Sequence, residues 1–152
     1  VLQDQNPETR LLILGEGELR AEFEDLVTDL GLKDVVDLPG FDANPYAYFK
    51  YASLFVLSSN WEGLPGVLIQ ALASKVKVVS TNCPSGPMEI LENSKFGLLV
   101  ECNDQAGLTQ AMQQAIFADY VQYQEADFES HIQQFHKQTV LKQYLRMMES
   151  AS

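Results

Sequence analysis

An α/β domain built on a parallel sheet, with helices over both faces, is the fold class this sequence predicts. Two features of the chain predict it. Short apolar runs at Arg10–Leu14, Asp34–Leu38, Leu54–Leu57, Val76–Ser80 and Gly97–Val100 alternate with stretches of helical period. Polar and glycine-rich segments at 15–17, 39–42, 58–66 and 81–87 each follow a strand. In an open parallel sheet all such loops gather on the carboxyl edge, where ligands bind.

The elements follow in order. The first strand is broken by Gly15-Glu16-Gly17. The helix after it sets Leu19, Phe23, Leu26, Val27 and Leu30 on one face and ends at Gly31. Pro39-Gly40 turns the second strand. Asn44-Pro45 starts a helix that reaches about Tyr51, the asparagine serving as cap. Another helix begins near Pro65 or Gly66 and turns Val67, Leu68, Ala71 and Leu72 inward. A short helix around Met88–Glu92 separates the last two strands. Asp104 caps the next helix, whose Leu108, Met112, Ala115 and Ile116 recur at helical spacing. From Tyr120 onward the chain is polar and helix-compatible, with Phe128, Ile132, Phe135, Leu141, Tyr144, Leu145 and Met148 available for packing.

With 152 residues, 46% of them hydrophobic, the chain can bury one sizeable core. Ten basic residues against 21 acidic give a formal charge of −11, which opposes broad binding to nucleic acid or anionic lipid. Cys83 and Cys102, 19 residues apart, have no metal-pair spacing and read as free thiols of a reducing, cytoplasmic compartment. No run approaches the ~20 apolar residues that span a bilayer. Serine nucleophile elbow, Walker loop and CxxC pair are all missing. His131 and His136 lie in a polar helical stretch without neighbouring carboxylates at ligand spacing, so they read as surface or edge-packing residues, and no metal site is expected.

The chemistry concentrates on the loops. Gly15 and Gly17 can bring backbone N–H groups to a phosphate, or simply make a tight turn; the third glycine of the dinucleotide fingerprint is missing. Gly63-Leu64-Pro65-Gly66, between strand and helix, offers the free N–H groups of a helix start to a diphosphate, or is a structural turn. Glu62 can accept hydrogen bonds from sugar hydroxyls. Gln70, two helical turns on, can meet a ribose hydroxyl without adding charge. For both, a cap or an exposed helix side chain is the plain alternative. Glu89 either orients a hydroxyl or is a first-turn acid favoured by the helix dipole. Phe41 and Trp61 can wall a base or sugar, or pack.

Taken together, Leu12-Ile13-Leu14-Gly15-Glu16-Gly17-Glu18-Leu19-Arg20, Leu38-Pro39-Gly40-Phe41, Ser58 through Ala71, Cys83 through Leu91 and Gly97 through Val100 resemble the C-terminal domain of retaining group 1 (GT4) glycosyltransferases. The resemblance covers about residues 8 to 118. It implies one Rossmann-like, three-layer half of a GT-B fold, and a nucleotide diphosphate sugar (UDP-sugar first) as donor substrate, with no cofactor. It makes Glu62 the catalytic carboxylate that holds sugar hydroxyls. Gly15 and Gly17 line the donor region, Phe41 lies where the base is enclosed, Leu64, Pro65 and Gly66 lie near diphosphate and sugar, Gln70 meets ribose and Glu89 lies near the cleft.

Three positions depart from the family pattern: Gln70 stands where a second glutamate is usual, Lys75 where a glycine is, and Lys77 where a proline is. The resemblance puts an Arg/Lys pair for the diphosphate upstream of Val1, together with an acceptor-binding N-terminal domain as partner. The expected division is residues 1–118 as a nucleotide-sugar domain lacking its first strand and helix, and 119–152 as a helical extension packed on the same domain or on the N-terminal one. Membrane association, where it occurs, falls to that other domain. The implied reaction is retaining, metal-independent sugar transfer to a hydroxyl acceptor, in polysaccharide, lipopolysaccharide or glycolipid synthesis, which the fragment alone does not complete. Two other readings stand beside it: a non-catalytic nucleotide-binding module, and another GT-B enzyme such as a nucleotide-sugar epimerase.

Overall fold

In the computed structural model, residues 2–118 and 123–150 are described; Tyr120 lies outside them. The chain forms two compact units that meet in sequence between Pro45 and Tyr46.

The first unit holds α1 (Leu2–Gln5), β1 (Leu11–Leu14), α2 (Arg20–Asp29) and β2 (Val36–Gly40). β1 and β2 pair in parallel, Leu11 with Val36 and Leu14 with Gly40, with an irregularity between Leu12 and Leu14. β2 thus runs through Pro39-Gly40, where the sequence suggested a turn. Pro39 has no N–H to give a ladder, and the shifted register is the kind of place that tolerates it. α2 ends as expected at Gly31, whose φ is +67°. The Gly31 N–H reaches the Thr28 carbonyl at 3.0 Å and the Leu32 N–H that of Val27 at 2.9 Å, a complete Schellman cap.

The second unit carries α3 (Tyr46–Phe49), β3 (Phe55–Leu57), α4 (Gly66–Ala73), β4 (Val78–Thr81), α5 (Pro87–Ile90), β5 (Leu98–Val100), α6 (Gln105–Phe117), α7 (Glu125–Gln133) and α8 (Lys137–Ser150). Its sheet is parallel throughout, in the order β3-β4-β5. β4 is central and every residue of it is buried. Successive side chains on a strand point to opposite faces, and Val78 and Val79 do so here. Val78 joins Leu57, Leu68, Leu72, Ile90, Phe96 and Phe128 in one cluster, whereas Val79 joins Val100, Ala111 and Ala115 in another. The first cluster draws on α4, α5 and α7 and the second on α6, so helices flank both faces, as the sequence predicted.

Local chemistry explains where the helices stop and start. α3 is a single turn, shorter than the stretch to Tyr51 expected from the sequence. Asp104 caps α6 as expected, accepting from the Gly107 N–H at 2.8 Å. α5 ends at Ile90 because Glu92, Asn93 and Ser94 all take positive φ. No described helix is long and apolar enough to cross a membrane.

Candidate functional site

In the second unit the loops after β3, β4 and β5 share the carboxyl edge of the sheet, and hydrogen bonds knit them together. The buried Thr81 hydroxyl, at the end of β4, donates to the Ser59 carbonyl and lies 3.3 Å from that of Leu57. The Asn82 N–H donates to the Val100 carbonyl at 2.7 Å, joining the β4 and β5 ends. Ser85 Oγ reaches the Glu62 carbonyl at 3.2 Å. Gly86, at φ +89°, lies so close to the β3–α4 loop that an added Cβ would meet the Gly63 carbonyl oxygen at 2.4 Å and Pro65 Cδ at 2.5 Å. Only glycine satisfies both conditions.

Glu62 stands half-buried in this network, and its Oε1 accepts from Ser59 Oγ at 2.8 Å. Pro65 is buried and precedes α4 with φ −67°. The Leu68 and Ile69 N–H groups are the first to point back to a helix carbonyl, that of Pro65, which leaves Gly66 and Val67 with the unsatisfied N–H groups of a helix start. Gly66 is exposed and Gln70 half-buried. Being four residues apart, they share one face of α4. Leu64 and Trp61 are exposed, Trp61 by 81%, so Trp61 does not pack into the core of this unit. Glu89 helps line a cleft of about 510 Å³ with Asn82, Cys83, Pro84, Ser85, Gly86, Met88 and Asn93. Glu62, Leu64, Pro65, Gly66, Gln70 and Glu89 therefore belong to one unit and to the loops and helix starts at one sheet edge.

The first unit has its own loop at the end of β1. The Gly15 N–H donates to the Gly40 carbonyl at 2.9 Å, and Gly15 has φ +126°. Arg20 organises this turn. Its guanidinium donates to Glu16 Oε1 at 2.9 Å, to Glu24 Oε1 at 2.8 Å and to the Leu38 carbonyl at 2.7 Å. The bond to Glu24 and the charge of Glu16 push the Arg20 pKa further up. The Glu16 carboxylate, a poor neighbour for phosphate, is thereby paired. Gly17 leaves open space where a side chain would stand. Phe41 is 76% exposed in this chain.

Three side chains that sequence reasoning passed over hold the loops: Ser59, Thr81 and Arg20. The spacing of Ser59 to Glu62, three residues, and of Glu16 to Arg20 to Glu24, four each, were the available signals. Cys83 is buried and Cys102 half-buried, both as free thiols. Burial, the largest cause, pushes the Cys83 thiol pKa up, with the nearby Cys102 and Glu62 adding to it. His131 packs at an edge, stacked on Phe96 at 4.3 Å with Nε2 bonded to the Ile90 carbonyl at 2.7 Å, and His136 is exposed. Among the described residues no group of three or more His, Cys, Asp or Glu is arranged to hold a metal ion.

Comparison with known proteins matches this arrangement to one family. The family described as glycosyl transferases group 1 matches residues 1–129. An uncharacterized glycosyltransferase of Methanocaldococcus jannaschii, MJ1059, is 43% identical over 88 residues, covering 58% of this chain and 22% of its own. A Campylobacter jejuni 4-alpha-N-acetylgalactosaminyltransferase, named for a diphospho-undecaprenol acceptor, is 41% identical over 103 residues, 68% of this chain and 28% of its own. In fold, Staphylococcus aureus TarM, solved as a variant with UDP among its ligands, superposes with a TM-score of 0.84 at 23% identity, covering 95% of this chain and 30% of its own. The chain spans less than a third of the length of each. Its α/β architecture matches a Rossmann-like half of the GT-B fold, and by the family match this chain belongs to the group 1 glycosyl transferases.

Proposed function

We propose that this chain is the donor-binding, C-terminal half of a retaining, GT4-type glycosyltransferase that moves a sugar from a UDP-sugar to a hydroxyl acceptor. The observation that carries the reading is the braced Glu62 carboxylate beside the free N–H groups that open α4. In this reading Glu62 accepts hydrogen bonds from donor-sugar hydroxyls, and Gly66 and Val67 offer N–H groups to the diphosphate. Charge builds on that diphosphate as it leaves, and preformed donors hold it without reorganising. Gln70 meets ribose through a neutral amide and Glu89 lies near the cleft; in the first unit, the resemblance gives Gly15 and Gly17 to the donor region and Phe41 to the base. UDP is favoured because TarM, of like fold, was solved with it.

Residues 1–118 form the nucleotide-sugar domain and 119–152 its helical extension. By the family resemblance, basic residues for the diphosphate come from an earlier part of this same domain, and the acceptor site from the N-terminal half of the enzyme. That half also provides any membrane association of an otherwise cytoplasmic protein. A lipid-linked glycan acceptor is the leading class, since the Campylobacter relative is named for one. Transfer requires no metal ion in this reading.

The test is steady-state kinetics of the full-length protein with UDP-hexoses. Glu62→Gln is expected to lower kcat/KM by roughly 10²-fold or more, because the lost contacts act on the reacting sugar. Unchanged kinetics would reject the assignment.

A further inference from the structure

We propose that Ser59 is a positioning residue which sets the direction of the Glu62 carboxylate and so tunes how the enzyme holds the donor sugar. The inference rests on the role given to Glu62 above and adds a second residue to it.

The geometry is specific to this pair. Ser59 is fixed at its backbone and active at its side chain. Its carbonyl accepts from the Thr81 hydroxyl, which belongs to the buried central strand, and lies 4.0 Å from the Cys102 thiol on the loop after β5. The residue is thus pinned to both neighbouring strand ends. Its hydroxyl then donates to Glu62 Oε1 at 2.8 Å. On the far side of the same loop, Ser85 Oγ reaches the Glu62 carbonyl at 3.2 Å. The backbone of Glu62 is therefore braced from the β4–α5 loop, while the carboxylate is aimed by Ser59 alone among these contacts. A glutamate has three side-chain torsions, and holding one in advance spares the substrate that cost. A carboxylate oxygen bound at Oε1 leaves Oε2, and the remaining lone pair of Oε1, for hydroxyl donors.

This arrangement separates sugar from nucleotide. Ser59 acts on the group that meets the sugar, whereas the N–H groups of Gly66 and Val67 and the amide of Gln70 are set by α4. Loss of the Ser59 hydroxyl should therefore weaken handling of the donor sugar and leave free nucleotide binding alone. A merely structural serine would loosen the loop and affect both.

The experiment uses the full-length protein with free UDP and with the UDP-hexose that turns over, chosen from UDP-glucose, UDP-galactose and their N-acetyl derivatives. Ser59→Ala is expected to lower kcat/KM for the sugar nucleotide roughly tenfold, with the Kd of free UDP unchanged within about twofold. Ser59→Thr, which keeps the hydroxyl, should recover most of the loss. In the Glu62→Gln background Ser59→Ala should add nothing, because its effect passes through the carboxylate. Multiplicative losses in the double variant, or a parallel loss of UDP affinity, would overturn the proposal. An impaired Glu62→Gln enzyme beside an unimpaired Ser59→Ala enzyme would overturn the positioning role alone. An unimpaired Glu62→Gln enzyme would overturn the reading of Glu62 and, with it, this one.

Discussion

Gly86 and Lys75 both hold backbone conformations that favour glycine, and their surroundings decide opposite outcomes. At Gly86 an added methyl has nowhere to go, since the Gly63 carbonyl and the Pro65 ring already occupy its place. Gly86→Ala should cost about 2–4 kcal/mol in urea denaturation, from positive φ and overpacking together. Lys75 sits at φ +58° at the end of α4, where its N–H reaches the Leu72 carbonyl at 2.7 Å. Its ammonium pairs with Glu125 at the start of α7, and the bond to Glu125 pushes the Lys75 pKa up. Lys75→Gly should relieve the backbone and raise Tm by about 2 °C, while Lys75→Ala, which keeps the strain and loses the pair, should lower it. Cys83 gives a pH signature. Its thiol pKa is raised by burial, so on alkaline titration the unfolded chain loses that proton first and the native state is disfavoured. Stability should fall as pH climbs through the ordinary thiol range, and Cys83→Ala should flatten that slope in chemical denaturation. At this scale the sequence was legible where residue type dictates geometry, as at Gly31 and Asp104. It was silent on Arg20, Ser59 and Thr81, because serine, threonine and arginine suit many surroundings and only the folded loops select their partners.

At the scale of elements, the same cap closes three helices with three different residues. α2, α4 and α5 each end in a pair of backward N–H bonds with a left-handed residue after the cap: Gly31, Lys75 and Glu92. Only the first advertises itself in the sequence, which is why the end of α5 was misplaced by two residues. Lys77, likewise unexpected, donates to the Ala115 carbonyl at 2.8 Å and so satisfies the last turn of α6, where a cation also suits the helix dipole. The two family departures at 75 and 77 thus secure α7 and α6. α7 is further fixed by Phe128, only 3% exposed and packed edge-on against Phe96 at 5.7 Å. Phe128→Ala should cost about 3–5 kcal/mol in urea denaturation of the full-length protein. A near-neutral result would mean that α7 leaves this core in solution. The parallel strands of the second unit were legible because buried strands read as continuous apolar runs. The path of the terminal helices was not, since a helix with one apolar stripe does not say which surface it covers.

For the molecule as a whole, burial is concentrated in the second unit. β4 and the helices on its two faces supply the buried core, whereas β1 and α2 of the first unit leave Leu11, Leu12, Ile13, Phe23 and Leu26 exposed, and Leu30 just after α2 is exposed too. A two-stranded sheet is marginal by itself, so amides of β4 should exchange with solvent far more slowly than those of β1. α8 likewise exposes Leu141, Tyr144, Leu145 and Met148 at helical spacing. Such faces agree with a chain that spans less than half the length of the relatives it matches and, as we propose, works as one half of a larger enzyme. The charge of −11 fits the proposed donor site, in which backbone N–H groups rather than a broad basic surface meet the diphosphate. The most direct test of this account is calorimetric titration of the full-length protein with UDP, GDP and ADP, repeated with Gly66→Pro, which removes one of the two free N–H groups at the start of α4. The account predicts saturable binding of UDP, weakened at least tenfold by that substitution; no binding of any of the three, or UDP binding indifferent to it, would contradict the donor site described here.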